Sequence, residues 1–304
     1  MKLVLMLLMV FLSTTLADTK NVHIIYGKSS HGKDAHNNTE VAKLIKYKLE
    51  QSKYAKKFKV TMSFHYPKDE SLVENADLII LSCDGGDRHA LAVKNDLTRD
   101  TKKIDALMKE KKTGLIVIHW ATDAPSAKFG THHTENDAMF IDWIGAVYCW
   151  GCDHKKHLPY KSWTLKPTPL KMITNKDHPI ANGVDPEFDF KDEVYLNFFT
   201  PGKDSRNPKS DKVTYIHKAL TPRLKSDIKN KEKWTEQSFY WCFTRENEGR
   251  SVAMTSAHYY KTWADRNFFQ TFTNSIFWTL KMEIPKEGVE IPTPTQVELD
   301  SMRE

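Results

Sequence analysis

The sequence predicts an α/β fold in which a mostly parallel central sheet lies between two layers of helices, followed by a strand-rich C-terminal half. Residues 78–81 and 115–118 are continuous aliphatic runs next to Gly or charged residues. Such short runs are typical of strands that are buried on both faces. Segments with helical periodicity lie between them. This alternation indicates βαβ crossover units and a three-layer arrangement.

The N-terminal half supplies these units in order. A strand is predicted over 21–26. A helix is predicted from Asn38 or Thr39 to about residue 52, because either side chain can cap it and apolar residues then recur at helical spacing. The further predicted elements are a strand over 59–64, a short helical connection over 69–75, a strand from residue 77, a helix around 104–108 and a strand over 114–119.

After Gly145 the pattern becomes irregular and rich in strands. A closing helix is predicted over 266–280, because apolar residues repeat there every four positions. We therefore expect one domain over 18–284 and a Pro- and Glu-rich tail over 285–304 that wraps on the surface. The strands predicted in this half cover 162–165, 193–199, 213–219, 239–244 and 251–255.

The first 17 residues have the layout of a secretory signal peptide. Lys2 precedes the apolar run 3–12, and Ala17 offers a small-residue cleavage site before Asp18. A membrane span needs about 20 apolar residues, so an uncleaved anchor fits this run less well. We expect a secreted or periplasmic mature chain with no membrane span after cleavage.

The net charge of +6 comes from lysines that are spread along the chain and are densest from Lys203 to Lys233. No nucleic-acid-binding motif accompanies them, and an exported protein rarely meets nucleic acid. We interpret these lysines as a solvated surface and expect no nucleic-acid partner. The sequence does not indicate an oligomeric state.

The four cysteines leave several possibilities open. In an oxidising compartment they could form two disulfides, with three possible connectivities. Cys149 and Cys152 could instead form a redox pair or half of a zinc site. A zinc ribbon would need a second CxxC, which the sequence lacks. We therefore favour a structural role or buried thiols.

Ionisable residues collect where the predicted buried strands end. Parallel strands bring their following loops to the same edge of a sheet, and ligands bind in the crevice there. Gly85 and Gly86 let the backbone turn sharply and approach a ligand closely. An ordinary polar surface loop is the alternative for any one of these segments. The residues that follow these strands are Lys28, His31 and His36, then Asp84, Arg88 and His89, then His119 with Asp123 just beyond, and finally His258.

Two chemistries fit such a pocket. Neutral imidazoles could hold a divalent metal, with zinc first by ligand type. Alternatively, one histidine could act as a general base while Arg88 and Lys28 bind an anionic or hydroxyl-rich substrate. No compact metal-binding motif such as HExxH is present, and we expect no nucleotide cofactor.

Seven segments together resemble the trehalose-utilisation (ThuA-like) family, most closely its secreted branch, and they span roughly residues 22–290. That family has the fold of the class I glutamine amidotransferases, which is flavodoxin-like. The segments are 28–32 (KSSHG, with His36), 84–89 (DGGDRH), 114–119 (GLIVIH), 140–145 (FIDWIG), 177–180 (DHPI), 192–195 (DEVY) and 249–263.

The resemblance does not imply glutaminase activity. Amidotransferases carry a nucleophilic cysteine directly after the strand that corresponds to 115–118, and this chain has His119 and Trp120 there. Cys83 follows a different strand. Thiol-dependent glutamine hydrolysis is therefore not expected, even though the fold is shared.

The resemblance implies a sugar-active enzyme that acts on disaccharides, glycosides or their 3-keto derivatives by hydrolysis, elimination or isomerisation. A 3-keto group acidifies the neighbouring C–H, so the reaction needs a base and an electrophile for the enolate. Glu193 or His119 would be the base, while Asp192 would be structural, because successive strand residues point to opposite faces. The departures from the family's pattern are Tyr260, where relatives often have a second histidine, and Cys149-xx-Cys152.

These considerations assign roles to ten residues. The predicted catalytic residues are His119, Glu193 and Arg88; the predicted substrate-binding residues are Lys28, His36, Asp84 and Trp263; and the predicted metal ligands are His31, His89 and His258, with the last two favoured.

The alternative is a non-catalytic carbohydrate-binding protein on the same fold. Trp120, Trp150, Trp241 and Trp263 would then stack on sugar faces, while the histidines would only hydrogen-bond to hydroxyl groups. Trp278 lies on the closing helix, and we expect it in the core. Metal analysis and a panel of glycosides and 3-keto-glycosides would separate the two hypotheses.

Overall fold

The computed structural model describes residues 19–149, 161–200 and 213–303. The strands in these residues are β1 (Lys20–Tyr26), β2 (Phe58–Phe64), β3 (Leu78–Ser82), β4 (Gly114–Ile118), β5 (Trp163–Thr174), β6 (Glu187–Leu196), β7 (Val213–Thr221), β8 (Thr235–Thr244) and β9 (Arg250–Met254). The helices there are α1 (Asn38–Glu50), α2 (Ser71–Glu74), α3 (Arg99–Glu110), α4 (Thr134–Ile144), α5 (Arg266–Thr279) and α6 (Gln296–Ser301).

The strands form one mixed sheet in the order β2-β1-β3-β4-β9-β8-β7-β5-β6. The first five strands in this order are parallel, and the remaining pairings are antiparallel. The predicted α/β fold is thus confirmed. The order β2-β1-β3-β4 is that of flavodoxin-like sheets, in which ligands bind where the connections from β1 and β3 diverge.

The sheet divides the core into two layers because alternate strand residues point to opposite faces. Ile24 and Ile80 face a core that also contains α1 and α5. Ile25 and Leu81 face the second core, which contains α3 and α4. Every residue of β3 and of β4 is buried, as the two aliphatic runs indicated.

The C-terminal half departs most from the predicted boundaries. The strand predicted over 162–165 extends to Thr174, and the one predicted over 193–199 begins at Glu187 and ends at Leu196. Pro167 and Pro169 make the sequence of β5 unlike that of a long strand. The pairing of β5 with β6 shifts register between Leu165 and Thr168. A proline is tolerated at such a bulge, because the bulge interrupts the ladder of hydrogen bonds.

The residues after 284 lie against α1 and contribute to the core. Val289, Ile291 and Leu299 are buried. Glu298 accepts a hydrogen bond of 2.9 Å from Lys48 on α1, and the Thr295–Glu298 capping box starts α6. This segment therefore packs on the domain through apolar side chains that belong to its core.

Two groups of predictions fall partly outside the described residues. The proposed signal segment, Trp150 and Cys152 lie outside them. Cys83 and Cys242 are free and buried, whereas Cys149 is disulfide-bonded. Within the described ranges, no helix combines the length and the apolar character that crossing a membrane requires.

Candidate functional site

Three histidines meet at the carboxyl edge of the parallel strands. His36 lies in the connection from β1 to α1, His119 directly follows β4, and His258 follows β9. The Nε2 atom of His36 lies 2.9 Å from Nδ1 of His258 and 3.2 Å from Nε2 of His119. Nδ1 of His258 lies 3.3 Å from Nε2 of His119. Parallel strands bring these loops together, as their order implies.

The antiparallel half of the sheet completes this group with a carboxylate. Oε1 of Glu193, on β6, lies 3.3 Å from Nδ1 of His258 and 4.0 Å from Nε2 of His119. The ligand atoms of His36, His119, Glu193 and His258 all lie within 4.8 Å of one another. We call these four residues the His–Glu cluster.

In two cluster histidines, the ring nitrogen that faces away from the cluster has a hydrogen-bond partner in the protein. Nδ1 of His36 lies 2.7 Å from a carboxylate oxygen of Asp84, and Nδ1 of His119 lies 2.7 Å from the carbonyl oxygen of Thr255. Both partners only accept hydrogen bonds, so each Nδ1 carries the proton. In the neutral imidazoles Nε2 therefore presents a lone pair to the cluster.

Asp84 is held in place to orient His36. It also accepts hydrogen bonds from Ser30 Oγ at 2.6 Å and from Asn38 Nδ2 at 3.1 Å. Burial opposes ionisation, but the hydrogen bonds from His36, Ser30 and Asn38 outweigh it and hold the pKa of Asp84 below its ordinary value. Asp84 is therefore an ionised acceptor that fixes the ring of His36.

Asp192 and Glu193 have different environments, as the alternation of a strand requires. Buried Asp192 accepts hydrogen bonds from the backbone of Ala257 and from the hydroxyl group of Thr262, both at 2.8 Å. Burial raises the pKa of Asp192 to about 6 despite these bonds. Asp192 thus ties β6 to the loop that carries His258, while Glu193 faces the cluster.

Tyr195 lies two residues after Glu193 on β6, and its side chain therefore points to the same face of the sheet. Its hydroxyl group lies 3.0 Å from Nε2 of His119, and its ring stacks on that imidazole at 4.5 Å. Burial and the neighbouring imidazoles of His36 and His258 keep the pKa of His119 well below its ordinary value. His119 is therefore neutral at pH 7, which is the form that binds metals.

A cavity of about 270 Å³ opens beside the cluster. Its size is close to the lower end of ligand pockets, which begin at about 300 Å³. Trp120, Tyr148 and Tyr195 pack together on one wall. The other lining residues are His31, His36, Asp123, Phe129, Trp163, Thr164, Glu193, Lys225 and His258.

The backbone around the cluster adopts conformations that L-residues rarely adopt. His36 and His119 have φ values of 46° and 51°, and His31 and Ala257 have values of 58° and 80°. Each such residue costs about 1–3 kcal/mol and persists only where the surrounding contacts impose it. The loops at this edge are thus held in place by the cluster and its partners.

The structure places several predicted site residues at the cavity but changes their positions in it. His36, assigned to substrate binding, lies at the centre of the cluster. His31, assigned as a metal ligand, is an exposed residue on the cavity wall, and its ligand atom lies within 4.8 Å of those of His36 and Asp84, a second group that could hold a metal. Asp84, assigned to substrate binding, bonds instead to His36. Lys28 and Arg88 are exposed and do not line the cavity.

Two assignments are corrected outright. His89 is buried away from the cluster: Nε2 lies 3.2 Å from the carbonyl oxygen of Ala121, and Nδ1 accepts the N–H of Leu91. It has no free nitrogen for a metal. Trp263 is fully buried in the core against Phe268 and Phe272, so it cannot stack on a sugar.

Of four other tryptophans, two line the cavity and two are buried in the interior of the protein. Trp120 and Trp163 line the cavity. Trp241 is buried and donates a hydrogen bond to the carbonyl group of Ile144. Trp278 lies in the core, as expected for the closing helix.

Tyr195 and Asp123 line the cavity without an assigned role from the sequence, although Asp123 is among the ionisable residues after the buried strands and Tyr195 is in the DEVY segment. The strand period could have indicated Tyr195, because it lies two residues after Glu193 and so shares its face. Asp123 follows the short 3-10 helix His119–Thr122, whose turn directs it back towards the cavity. That turn has no clear signal in the sequence.

The His–Glu cluster fits a divalent metal by its donor set. Three imidazole nitrogens and one carboxylate oxygen are ligands that zinc accepts. The Asp84–His36 and Thr255–His119 hydrogen bonds are the outer contacts that metal-binding histidines have. Nε2 of His36 and Nε2 of His119 lie 3.2 Å apart, a separation that two ligands of one cation can have.

The fold and the site define a class: an α/β protein with a histidine–carboxylate centre at the carboxyl edge of its sheet. The chain belongs to the ThuA family, described as trehalose utilisation, whose sequence model matches residues 22–279. A comparison with curated proteins finds no match.

Solved structures with a similar fold include a ThuA-like protein from Bacteroides uniformis. It is 17% identical, with 87% of this chain and 92% of that chain covered and a TM-score of 0.57. PurLQS from Thermotoga maritima is 13% identical over 86% and 98% of the two chains, with a TM-score of 0.41. The glutaminase domain of Trypanosoma brucei CTPS is 9% identical over 90% and 98%, with a TM-score of 0.42.

Proposed function

We propose that this protein is a metal-dependent enzyme that acts on 3-keto derivatives of disaccharides or glycosides, by elimination or isomerisation next to the ketone. The observation that carries the proposal is the convergence of His36, His119, Glu193 and His258 within 4.8 Å beside a cavity. Structural histidines are normally satisfied one by one, whereas these share a common centre. The family's description, trehalose utilisation, supports a sugar as the substrate.

The cavity supports a single sugar ring as the group that is bound. Its volume is about 270 Å³, which suits one ring better than an extended chain. Trp120 and Trp163 offer aromatic faces for the apolar face of a sugar, and Thr164 and Lys225 offer polar groups for its hydroxyls. The second sugar or aglycone would extend through the cavity mouth.

The three cluster histidines would hold the metal, and zinc is the first candidate by ligand type. When bound, a divalent ion supplies Lewis acidity that polarises a carbonyl oxygen. Asp84 and Thr255 hold the rings of His36 and His119 so that Nε2 of each faces the centre. The loop after β9 is held by Asp192, which keeps His258 in place.

Glu193 is the better candidate for the base that removes the proton next to the ketone. Nδ1 of His119 is occupied by Thr255, and its Nε2 faces Tyr195 and the cluster. Glu193 lines the cavity and is partly exposed, so one carboxylate oxygen can reach a substrate while the other faces the histidines. Proton abstraction by such a positioned carboxylate contributes about 10²–10⁴-fold.

Metal analysis and substrate turnover test the proposal together. The purified full chain should contain a stoichiometric divalent metal and convert 3-keto-glycosides, and Glu193→Gln should lose turnover. A metal-free protein that cannot be loaded with zinc, manganese or cobalt, or a loaded protein without turnover on 3-keto-glycosides, would overturn it. Asp142→Asn, on α4 and away from the cavity lining, is the matched control and should behave as wild type.

A non-catalytic carbohydrate-binding protein is the second candidate. The aromatic wall formed by Trp120, Tyr148 and Tyr195 favours it, because aromatic faces are the usual platform for sugar rings. Calorimetric binding of a glycoside without turnover, equal in wild type and Glu193→Gln, would establish this candidate instead.

We also propose that the mature chain is exported after cleavage near Ala17. The pattern of Lys2 and the apolar run 3–12 supports this. Mass spectrometry of protein from the native host should find Asp18 at the N-terminus. Intact Met1 on cytosolic protein would contradict the proposal.

A further inference from the structure

Asp123 places a second carboxyl group on the wall of the same cavity. It lines the cavity together with Glu193, yet its side chain is buried. One carboxyl oxygen, Oδ2, accepts a hydrogen bond of 3.0 Å from the indole N–H of Trp120. The backbone N–H of Asp123 also bonds to the carbonyl oxygen of Trp120, at 2.9 Å. The side chain is thus held in one position beside the aromatic wall.

The glycine turn after β3 makes room for this arrangement. A Cβ atom on Gly85 would lie 2.5 Å from Cβ of Asp123 and 2.6 Å from Cδ1 of Trp120. Real Cβ atoms do not approach other atoms so closely. Only glycine at this position lets the Asp123–Trp120 pair lie where it does. The turn after β3 therefore leaves room for this pair, which lies in the turn after β4 and lines the cavity.

The charged and titratable groups around Asp123 disfavour its ionised form. Burial, together with the negative charges of Asp137 and Asp87, raises the pKa of Asp123 to about 7. The hydrogen bond from Trp120 and the imidazole of His132 act in the opposite direction. At neutral pH a substantial fraction of Asp123 therefore carries a proton, which a surface carboxyl would have lost.

We propose that Asp123 is the general acid that protonates the oxygen leaving the sugar, while Glu193 of the same cavity acts as the base. This inference rests on the proposed function of the cavity. Two carboxyl groups on one cavity, of which Asp123 is buried and Glu193 is partly exposed, are an arrangement that can divide acid and base roles. Asp123 is suited to the role of the acid because it lines the cavity, its carboxyl group is held by Trp120, and the neighbouring carboxylates favour its protonated form.

The step balances without any further reactant. Glu193 takes the proton from the carbon between the ketone and the anomeric carbon. The electron pair of that C–H bond forms a double bond to the anomeric carbon, and the bond from this carbon to the glycosidic oxygen breaks. The oxygen keeps the bonding pair and takes the proton of Asp123, so an alcohol leaves and an unsaturated keto sugar remains. The proposed substrates are therefore 3-keto-glycosides with poor, alcohol-type leaving groups.

Leaving-group dependence tests this role. Asp123→Asn should be assayed on methyl and 4-nitrophenyl 3-keto-glucosides. The methyl substrate needs protonation of its leaving oxygen, so kcat/KM should fall by about 10²–10⁴-fold. The 4-nitrophenolate leaves without help, so its kcat/KM should fall far less. Asp142→Asn should keep the wild-type ratio between the two substrates.

The outcomes separate the two proposals. Wild-type protein that turns over neither substrate refutes the proposed function and this role with it. Turnover by the wild type, with equal losses on both substrates or no loss in Asp123→Asn, refutes the role of Asp123 alone. Circular dichroism checks that the variant is folded.

Infrared difference spectra between wild type and Asp123→Asn provide a readout that does not need turnover. A protonated-carboxyl band that is present at pH 6 and lost at pH 8 is expected. A carboxylate band already complete at pH 6 would overturn the role.

Discussion

His89 and His119 follow neighbouring parallel strands, β3 and β4, and both imidazoles are buried. Both nitrogens of His89 are occupied by backbone groups of Ala121 and Leu91. His119 has one nitrogen on the carbonyl oxygen of Thr255, and the other faces His36, His258 and Tyr195. Burial is thus common to a histidine whose nitrogens are both held by the backbone and to one that faces the His–Glu cluster. What differs is whether the second nitrogen is occupied by the fold or offered to a shared centre.

The largest expected effect separates these two histidines by metal content. His119→Ala removes a ligand from the centre of the cluster, so bound metal should fall from stoichiometric to undetectable by mass spectrometry. His89→Gln is the matched control and should keep its metal, while losing about 1–3 kcal/mol of unfolding free energy for its broken buried hydrogen bonds. Equal metal loss in both variants would show that the comparison is wrong.

A smaller loss of metal affinity is expected when Asp84, the hydrogen-bond partner of His36, is changed. Asp84→Asn keeps the size of the side chain but weakens the hold on Nδ1 of His36. Loss of such an outer partner lowers metal affinity by about 10–100-fold. Competition with a chelator of known affinity measures this change. Unchanged affinity would mean that Asp84 does not position His36 for an ion.

Buried histidines of the His89 type should make the protein sensitive to acid. His217 lies between Thr174 and Thr271, and burial lowers its pKa to about 3. The unfolded chain takes up a proton below about pH 6.5, whereas the folded chain does so only near pH 3. Stability is therefore lost as the pH falls through this window. One such histidine lowers the free energy of unfolding by about 2 kcal/mol between pH 7 and pH 5.

Urea unfolding at these two pH values measures that contribution. The difference in unfolding free energy between pH 7 and 5 should be about 2 kcal/mol smaller in His217→Gln than in wild type. If this difference in unfolding free energy were the same in wild type and in His217→Gln, His217 would not be a source of the acid sensitivity.

The smallest effect is expected at Cys83. Its thiol is buried, and burial raises its pKa to about 12, so it is not a thiolate at neutral pH. We expect no ammonia release from glutamine by wild type and none by Cys83→Ala. Release that disappears in the variant would contradict this expectation.

The parallel half of the fold could be predicted because its signals are local. The aliphatic runs of β3 and β4 and the helical period of α1 each identify an element directly. The position of His119 followed, since it comes immediately after β4. The bounds of the long strand β5 could not be predicted, because Pro167 and Pro169 are unfavourable in a regular strand and the bulge at Pro167 depends on pairing with β6.

The error at His89 has a similar origin. Its distance along the chain from β3 predicted a place at the pocket. The 3-10 turn Gly86–Arg88 carries it away instead, under the turn after β4, where its ring meets Phe140 at 5.5 Å. The direction of a loop beyond its first two residues depends on tertiary contacts, which no single-sequence pattern contains. Trp263 was misplaced for the same reason.

The hydrogen bond between His36 and His258 joins residues that are 222 positions apart. Glu193 enters from the antiparallel half, so the cluster closes only when β9 has docked beside β4 and β6 has reached the loop that follows β9. Contacts of such high sequence separation form late, because loop-closure entropy must be overcome first. A chain still emerging from the ribosome holds at most an incomplete set of ligands. Loading with an ion would therefore belong to the finished protein, and any ion captured would report that the two halves of the sheet have come together.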